Sequence, residues 1–415
     1  MSQHNERMPA IRRIDALDAL RASVMILGVF LHGAVAYMHV PLPGLLWPVR
    51  DPSSGWVFDL VLWYIHGFRI PLFFLASGFF AALLCDLRGP NAYLVHRLKR
   101  IALPLAVAIL VILPPTYYLW GLGLVEQGLV TWREVTRMSF HDQELKDQVL
   151  GLAHLWFLHY LLIYCVVYYL IRKFFPLLLR FPGRIRLLES WWWPLTLIAV
   201  TFPLLWLHPE IYIEFENRWL PDSWSLAYHA LFFLVGSHLF RVHDQLSRLI
   251  RVGYLYILAS LVVFAAVILL FRWQLSGDLS SHETTWAFAL ATSVYSWLAV
   301  WGFLGVFLMA FNHQSTLVRY LSDAAYWIYL VHLPVIVLLQ LALEYVQNRG
   351  EFSIPPGVGF LISVSFTLAI SLLSYQYLVR YSLIGKWLHG AKSRNTGTKT
   401  FDRSPLEGSN VKTGS

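Results

Sequence analysis

The sequence predicts an all-α integral membrane protein, a bundle of about ten transmembrane helices with both termini in the cytoplasm. Of its 415 residues 57% are hydrophobic and only 13% charged, where a soluble domain carries roughly 25% charged residues. The apolar residues gather into runs near the ~20 residues that one bilayer-spanning helix needs. The basic residues divide unevenly between alternate loops, the usual mark of membrane orientation. This composition argues against a soluble enzyme of this size, and the summed apolar length excludes a single-pass anchor.

The first run, at about 18–40, follows Arg12 and Arg13 and ends on Ala34-Val35-Ala36. It is too long for a secretory leader, and nine more runs follow at about 56–84, 101–120, 150–171, 191–207, 225–240, 252–271, 286–311, 324–345 and 357–379. Short segments rich in Pro, Gly or charge separate them. A cytoplasmic N-terminus puts Arg88, Arg97, Lys99, Arg100 and the basic tail on the inner side, with about three quarters of the 32 Lys and Arg. The net charge of +8 is therefore read as topology, with no nucleic-acid partner expected. No internal repeat of the transporter kind is visible. The expected divisions are a cytoplasmic segment at 1–17, a membrane domain at 18–390 and a disordered cytoplasmic tail at 391–415.

Ionisable groups inside spans are expensive and tend to face a cavity or the bundle interior. The first span supplies Asp18, Arg21 and His32. Eleven residues separate Arg21 from His32, about three helical turns, so both face one way with His32 about 16 Å deeper. Asp18 is three residues from Arg21 and in reach of it. The second span carries Asp59, His66 and Arg69 on one stripe, the last two near the depth of His32, followed by the small pair Ser77-Gly78. The third opens on His96, Arg97 and Arg100, whose spacing near an expected helix N-terminus suits a phosphate, although topology alone also places them there. The fourth opens with His154, Trp156, His159 and Tyr160, and the ninth carries Tyr329 and His332 before Pro334, whose missing N–H loosens the preceding turn.

No metal site is expected, because His154 and His159 are five apart and point in different directions on a helix. Cys85 and Cys165 lack the close pairing of a zinc or redox centre. In the outer segment 208–224, Glu210, Glu214, Glu216 and Asp222 stand with Trp219 and Trp224, a set that suits sugar hydroxyls and sugar faces as well as it suits a solvated loop with interfacial anchors.

Five motifs in order resemble the acyltransferase-3 membrane proteins: Asp18-Ala19-Leu20-Arg21 with ten residues before His32, Phe73-Phe74-Leu75-Ala76-Ser77-Gly78, Arg97 and Arg100, His154-Leu155-Trp156-Phe157-Leu158, and the segment from Leu321 to His332. Within that family, His66-Gly67-Phe68-Arg69-Ile70-Pro71 and Leu378-Val379-Arg380-Tyr381 resemble the glucan-biosynthesis protein C branch, associated with succinylating periplasmic glucans. The resemblance implies a multi-pass enzyme of the bacterial inner membrane that moves an acyl group from cytoplasmic acyl-CoA, succinyl-CoA in that branch, to a hydroxyl of a periplasmic or cell-surface glycan. On that footing His32 is the expected general base, since a neutral imidazole suits proton removal near neutral pH. Asp18, Arg21 and Arg69 are expected around the reaction, with Arg69 on the thioester oxygen and His332 next in line for it. Arg97 and Arg100 are expected to hold the CoA phosphates, and His66, His154, Trp156, Tyr329 and His332 the substrate. Direct transfer is favoured, as no Ser or Cys stands near His32 in sequence. The competing class is a transporter of an acidic metabolite or glycan, with the same Arg and His residues as substrate ligands.

Overall fold

A computed structural model describes residues 15–179, 192–276, 281–311, 315–350 and 353–389. The expected tail at 391–415 and nearly all of the expected N-terminal segment lie outside the described residues. The described chain is helical throughout, with no strand. Seven of its helical stretches are long and apolar enough to cross a membrane: Ala16–Val35, Trp56–Val111, Ala153–Phe174, Leu246–Gln274, Thr285–Ala310, Thr316–Arg349 and Pro356–Val379. The fold is that of a multi-pass membrane protein, as its composition demands.

Helix α1 (Asp15–Val35) is enclosed by α2 (Trp56–Arg97) and α13 (Thr316–Arg349), which explains why it carries buried groups on several faces. The first run stops short of its expected end because Asp59 accepts the backbone N–H groups of His39 (2.7 Å) and Val40 (2.9 Å) and folds 36–55 back as a loop. Asp59 is thus a structural anchor. Helix α2 is 42 residues long, about 63 Å if straight and twice a bilayer core. It bends at Gly89, whose φ of 78° is open to glycine and whose successor Pro90 has no N–H to offer.

The expected third run is not one helix. A π-helical turn at Leu98–Ala102 joins α2 to α3 (Leu103–Val111), and the Pro114-Pro115 pair then separates α4 (Leu113–Glu126). Two short helices follow, α5 (Trp132–Arg137) and α6 (Gln143–Val149), and then α7 (Trp156–Phe174). The expected runs at 191–207 and 225–240 form α8 (Trp193–Leu207) and α10 (Ser223–Leu239), with the short α9 (Glu210–Ile213) between. At 15 and 17 residues α8 and α10 are below a full crossing length. Helices α11 (Leu246–Ser276) and α12 (Ser281–Ala310) form an antiparallel pair, and α14 (Pro356–Ser374) and α15 (Leu383–His389) complete the chain beyond α13.

Small residues set the closest contacts. Helix α10 lies so near α2 that a Cβ on Gly78 would run into the Phe233 carbonyl, and one on Gly236 into that of Leu75. Gly253 on α11 meets Gly305 on α12 in the same way. Without water to squeeze out, helices in lipid gain from such backbone approach through dispersion. Gly236→Ala is expected to destabilise the protein by about 1–3 kcal/mol and to lower its melting temperature in detergent. Gly357→Ala, where the added Cβ meets nothing within 4 Å, is the matched control and should leave that temperature unchanged.

Candidate active site

The site begins with a proline. Pro334 has no N–H, so the carbonyl of Leu330, four residues earlier on α13, loses its helical partner. His154 Nε2 fills the vacancy by donating to Leu330 O at 3.0 Å. An unpaired carbonyl in the bilayer interior is costly, so the bond fixes the imidazole's position and leaves Nδ1 as its lone-pair nitrogen. Tyr329, one turn away, donates its hydroxyl to the His154 carbonyl at 2.6 Å. His332 Nδ1 donates to Tyr329 O at 2.7 Å, so its Nε2 also carries a lone pair. The rings of His154 and His332 are 5.1 Å apart, and that of His32 lies 5.2 Å from His332.

His32 is held from the loop side. Trp47 stacks on its ring at 5.9 Å and 10°, and donates its indole N–H to Gln340 Oε1 at 2.8 Å. Gln340 in turn donates to Gly33 O at 3.2 Å, a carbonyl left free at the end of α1. Arg69 lies under this group, against Gly28, where any Cβ would collide with its guanidinium. The Nδ1 atoms of His32 and His154, Nε2 of His332 and Nε of Arg69 are buried with no hydrogen-bond partner among the described residues. Among those residues no three His, Cys, Asp or Glu side chains converge as a metal would require.

His32, His154, His332 and Arg69 line one cavity of about 780 Å³, together with His66, Trp156, Tyr329 and Glu216. His66, Ile70, Trp156 and Glu216 also line a side chamber of about 420 Å³ that reaches Tyr228 and His229. Glu216 comes from the loop between α9 and α10 and accepts the Tyr160 hydroxyl at 3.0 Å. Burial raises its carboxyl above the usual range. Of the other acids in 208–224, Glu214 lines the side chamber, Asp222 caps α10 through Ser225 N, and Glu210 pairs with His208.

A second cavity, of about 1260 Å³, opens at the other end of the bundle. It is lined by Asp18, Arg21, His96, Arg97, Arg100 and Asp323, with Ser77 and Tyr326. Asp18 and Arg21 stand 3.8 Å apart, and Arg21 also rests on the faces of Phe73 and Phe80. Arg97 lies over the Tyr93 ring. The expected helix N-terminus beside Arg97 and Arg100 is absent: Leu98 N–H already bonds back to Leu94, because the chain runs helically through the π turn. No helix end therefore stands behind the two guanidinium groups, which bring their charge alone to this cavity.

The structure thus divides the expected residues. His32, His66, Arg69, His154, Trp156, Tyr329 and His332 share the first cavity, while Asp18, Arg21, Arg97 and Arg100 share the second. By helix rise Arg21 is about 16 Å from His32, too far to touch the same reacting atoms. Trp47, Gln340, Gly28 and Asn217 were not found from sequence. Asn217 clamps the turn before His154: its Oδ1 accepts Ala153 N, and its amide donates to Gln148 O at 2.7 Å. Ala153 has a φ of 47°, a left-handed conformation that a non-glycine residue keeps only when held. No spacing rule links residues 64 apart.

The described residues form a polytopic helical protein with a basic cavity at one end and a histidine cavity at the other. The acyltransferase-3 family, described as an acyltransferase domain, matches residues 14–376, and the chain belongs to it. It is a membrane acyltransferase. It is similar to the glucans biosynthesis protein C of Salmonella gallinarum, at 26% identity over 390 residues, covering 91% of this chain and 94% of the relative. The proteins of that name from Salmonella paratyphi B and Salmonella heidelberg are also 26% identical over the same shares. No solved structure matches the chain. Asn217→Ala, which removes three side-chain hydrogen bonds to the turn before His154, each worth about 1 kcal/mol, is expected to lower acyl transfer by at least about tenfold in protein that still purifies.

Proposed function

We propose that this protein transfers an acyl group from acyl-CoA, bound on the cytoplasmic side, to a hydroxyl of a glycan on the periplasmic side. The observation that carries the reading is the pair of cavities, arginine-rich at one end and histidine-rich at the other. The CoA phosphates rest on Arg97 and Arg100, with Arg21 beside them, and the pantetheine arm runs along α1 to His32. His32 takes the proton of the acceptor hydroxyl as its oxygen bonds to the thioester carbon. The C–S bond breaks, and the proton passes to the departing CoA sulfur. The adjacent His332 lone pair steadies the imidazolium in between. Arg69, buried without an acid partner among the described residues, faces the negative charge that develops on the thioester oxygen. Glu216, Trp156 and the side chamber receive the acceptor. The names of the relatives favour a glucan as acceptor, and the branch resemblance favours succinyl as the acyl group.

The same reading includes ten crossings, both termini in the cytoplasm and residence in the bacterial inner membrane. The 56-residue stretch Trp56–Val111, continued by α4, is long enough for two crossings, and the short apolar α8 and the adjoining α10 add two more to the other six long helices. The excess of Lys and Arg at the end that bears Arg97 and Arg100 supports the orientation.

His32→Ala is expected to lower transfer by roughly 10²–10⁴-fold in protein that still inserts and purifies; retention of more than about a tenth of the activity sinks the assignment. The double replacement of Arg97 and Arg100 by Ala should weaken acyl-CoA and free CoA alike, since both carry the same phosphates. In sealed vesicles of known orientation, labelled acyl groups should reach a glucose oligosaccharide only when donor and acceptor are offered on opposite faces. Transport of either compound unmodified would instead favour the carrier.

A further inference from the structure

Four helices cross between the two cavities, and each changes character at the same level. On α1, Arg21 faces the basic cavity and His32 the histidine cavity, and Met25 between them lines both. On α2 the order is Arg69, Phe73, Ser77, with Phe73 shared; from the 3-10 turn Ala153–Leu155 into α7 it is His154, Phe157, Leu161, with Phe157 shared. These steps of three, four or seven residues keep each set on one helical stripe. The fourth helix, α13, passes from Tyr326 to Tyr329 without a shared side chain. Met25, Phe73 and Phe157 are the only residues common to the two linings among the described residues.

Two of the three are fixed. Phe73 and Phe157 meet edge to face at 4.5 Å, and Phe157 is further wedged against Phe74 at 5.0 Å and Tyr329 at 5.8 Å. Both are almost fully buried. Met25 is unbranched and turns about three side-chain bonds, so it can swing aside where the phenyl rings cannot.

We propose that Met25 is the movable leaf of a gate, framed by Phe73 and Phe157, that selects the acyl group by its width and closes around the thioester arm against water. The proposal rests on the donor reading above, in which the acyl group must lead the CoA arm from the basic cavity into the histidine cavity. A straight-chain acyl group has about the cross-section of the unbranched cysteamine and β-alanine part of the arm next to the sulfur. A branched or aromatic one is wider and meets the two fixed rings.

The test uses the full chain in proteoliposomes, with succinyl-, acetyl-, butyryl-, isobutyryl- and benzoyl-CoA as donors and a glucose oligosaccharide as acceptor. The wild type should use the straight-chain donors at least tenfold faster than isobutyryl- or benzoyl-CoA, within the roughly 10–200-fold that a hydrophobic pocket delivers. Met25→Ala should shrink that ratio at least fivefold and raise acyl-CoA hydrolysis in the absence of acceptor. Met25→Phe should stop transfer from every donor that the wild type uses while free CoA binds with unchanged affinity by calorimetry, which shows that the variant is folded. A ratio unmoved by Met25→Ala, or full transfer by Met25→Phe, overturns the gate and leaves the donor reading intact. A wild type that transfers no acyl group from any of the five donors overturns both.

Discussion

In hydrocarbon no water can complete a broken helix, so every backbone carbonyl must find its partner within the protein. That constraint organises this molecule. Pro334 frees the Leu330 carbonyl and His154 answers it; Pro71 frees that of Gly67, and Ser296 answers it from α12 at 3.0 Å. Each repair ties two helices together and sets a side chain in one orientation. At Leu330 it also fixes which nitrogen of His154 holds the proton. The histidine cluster is therefore ordered by the same bonds that hold the bundle closed, and its geometry is a consequence of helix repair as much as of packing.

The cluster leaves four nitrogen atoms with no partner among the described residues, in a setting where such atoms are usually satisfied. Stability alone would not keep them. They are concentrated in one cavity, on four different helices or their approaches, with a guanidinium among them and Trp47 stacked over His32. The arrangement has the form of a site kept ready for polar atoms that arrive with a substrate. The second cavity is polar in a different way, with charges near its mouth and an Asp18–Arg21 pair deeper along α1. Between the two lies a short apolar level, and a stripe of side chains on each helix passes through it.

Much of this was legible in the sequence because it is local. Eleven residues between Arg21 and His32 fix a shared direction and a separation along the axis, whatever surrounds the helix. Apolar length and charge asymmetry likewise read out the class of fold. The long spans were found this way, while the third run hid a π turn and a proline break that periodicity does not register. Asp59 looked like part of the polar stripe of α2 but is consumed by the loop that ends α1. Nothing in the spacing of residues announces that a carboxylate will cap a distant turn.

The sequence by itself determined the membrane class, the polar residues within spans and the face that each presents on its own helix. Tertiary structure alone decided which of those faces meet. Gln340 reaches Trp47 across 293 residues, Asn217 holds Ala153 across 64, and His154 finds the carbonyl that Pro334 exposed across 176. Likewise only the packed bundle separates Arg21 from His32 into two cavities and brings Met25, Phe73 and Phe157 to one level between them. The reason is physical: helical geometry is set by bonds within four residues, whereas the relative rotation and depth of helices are set by contacts between side chains that no local repeat encodes.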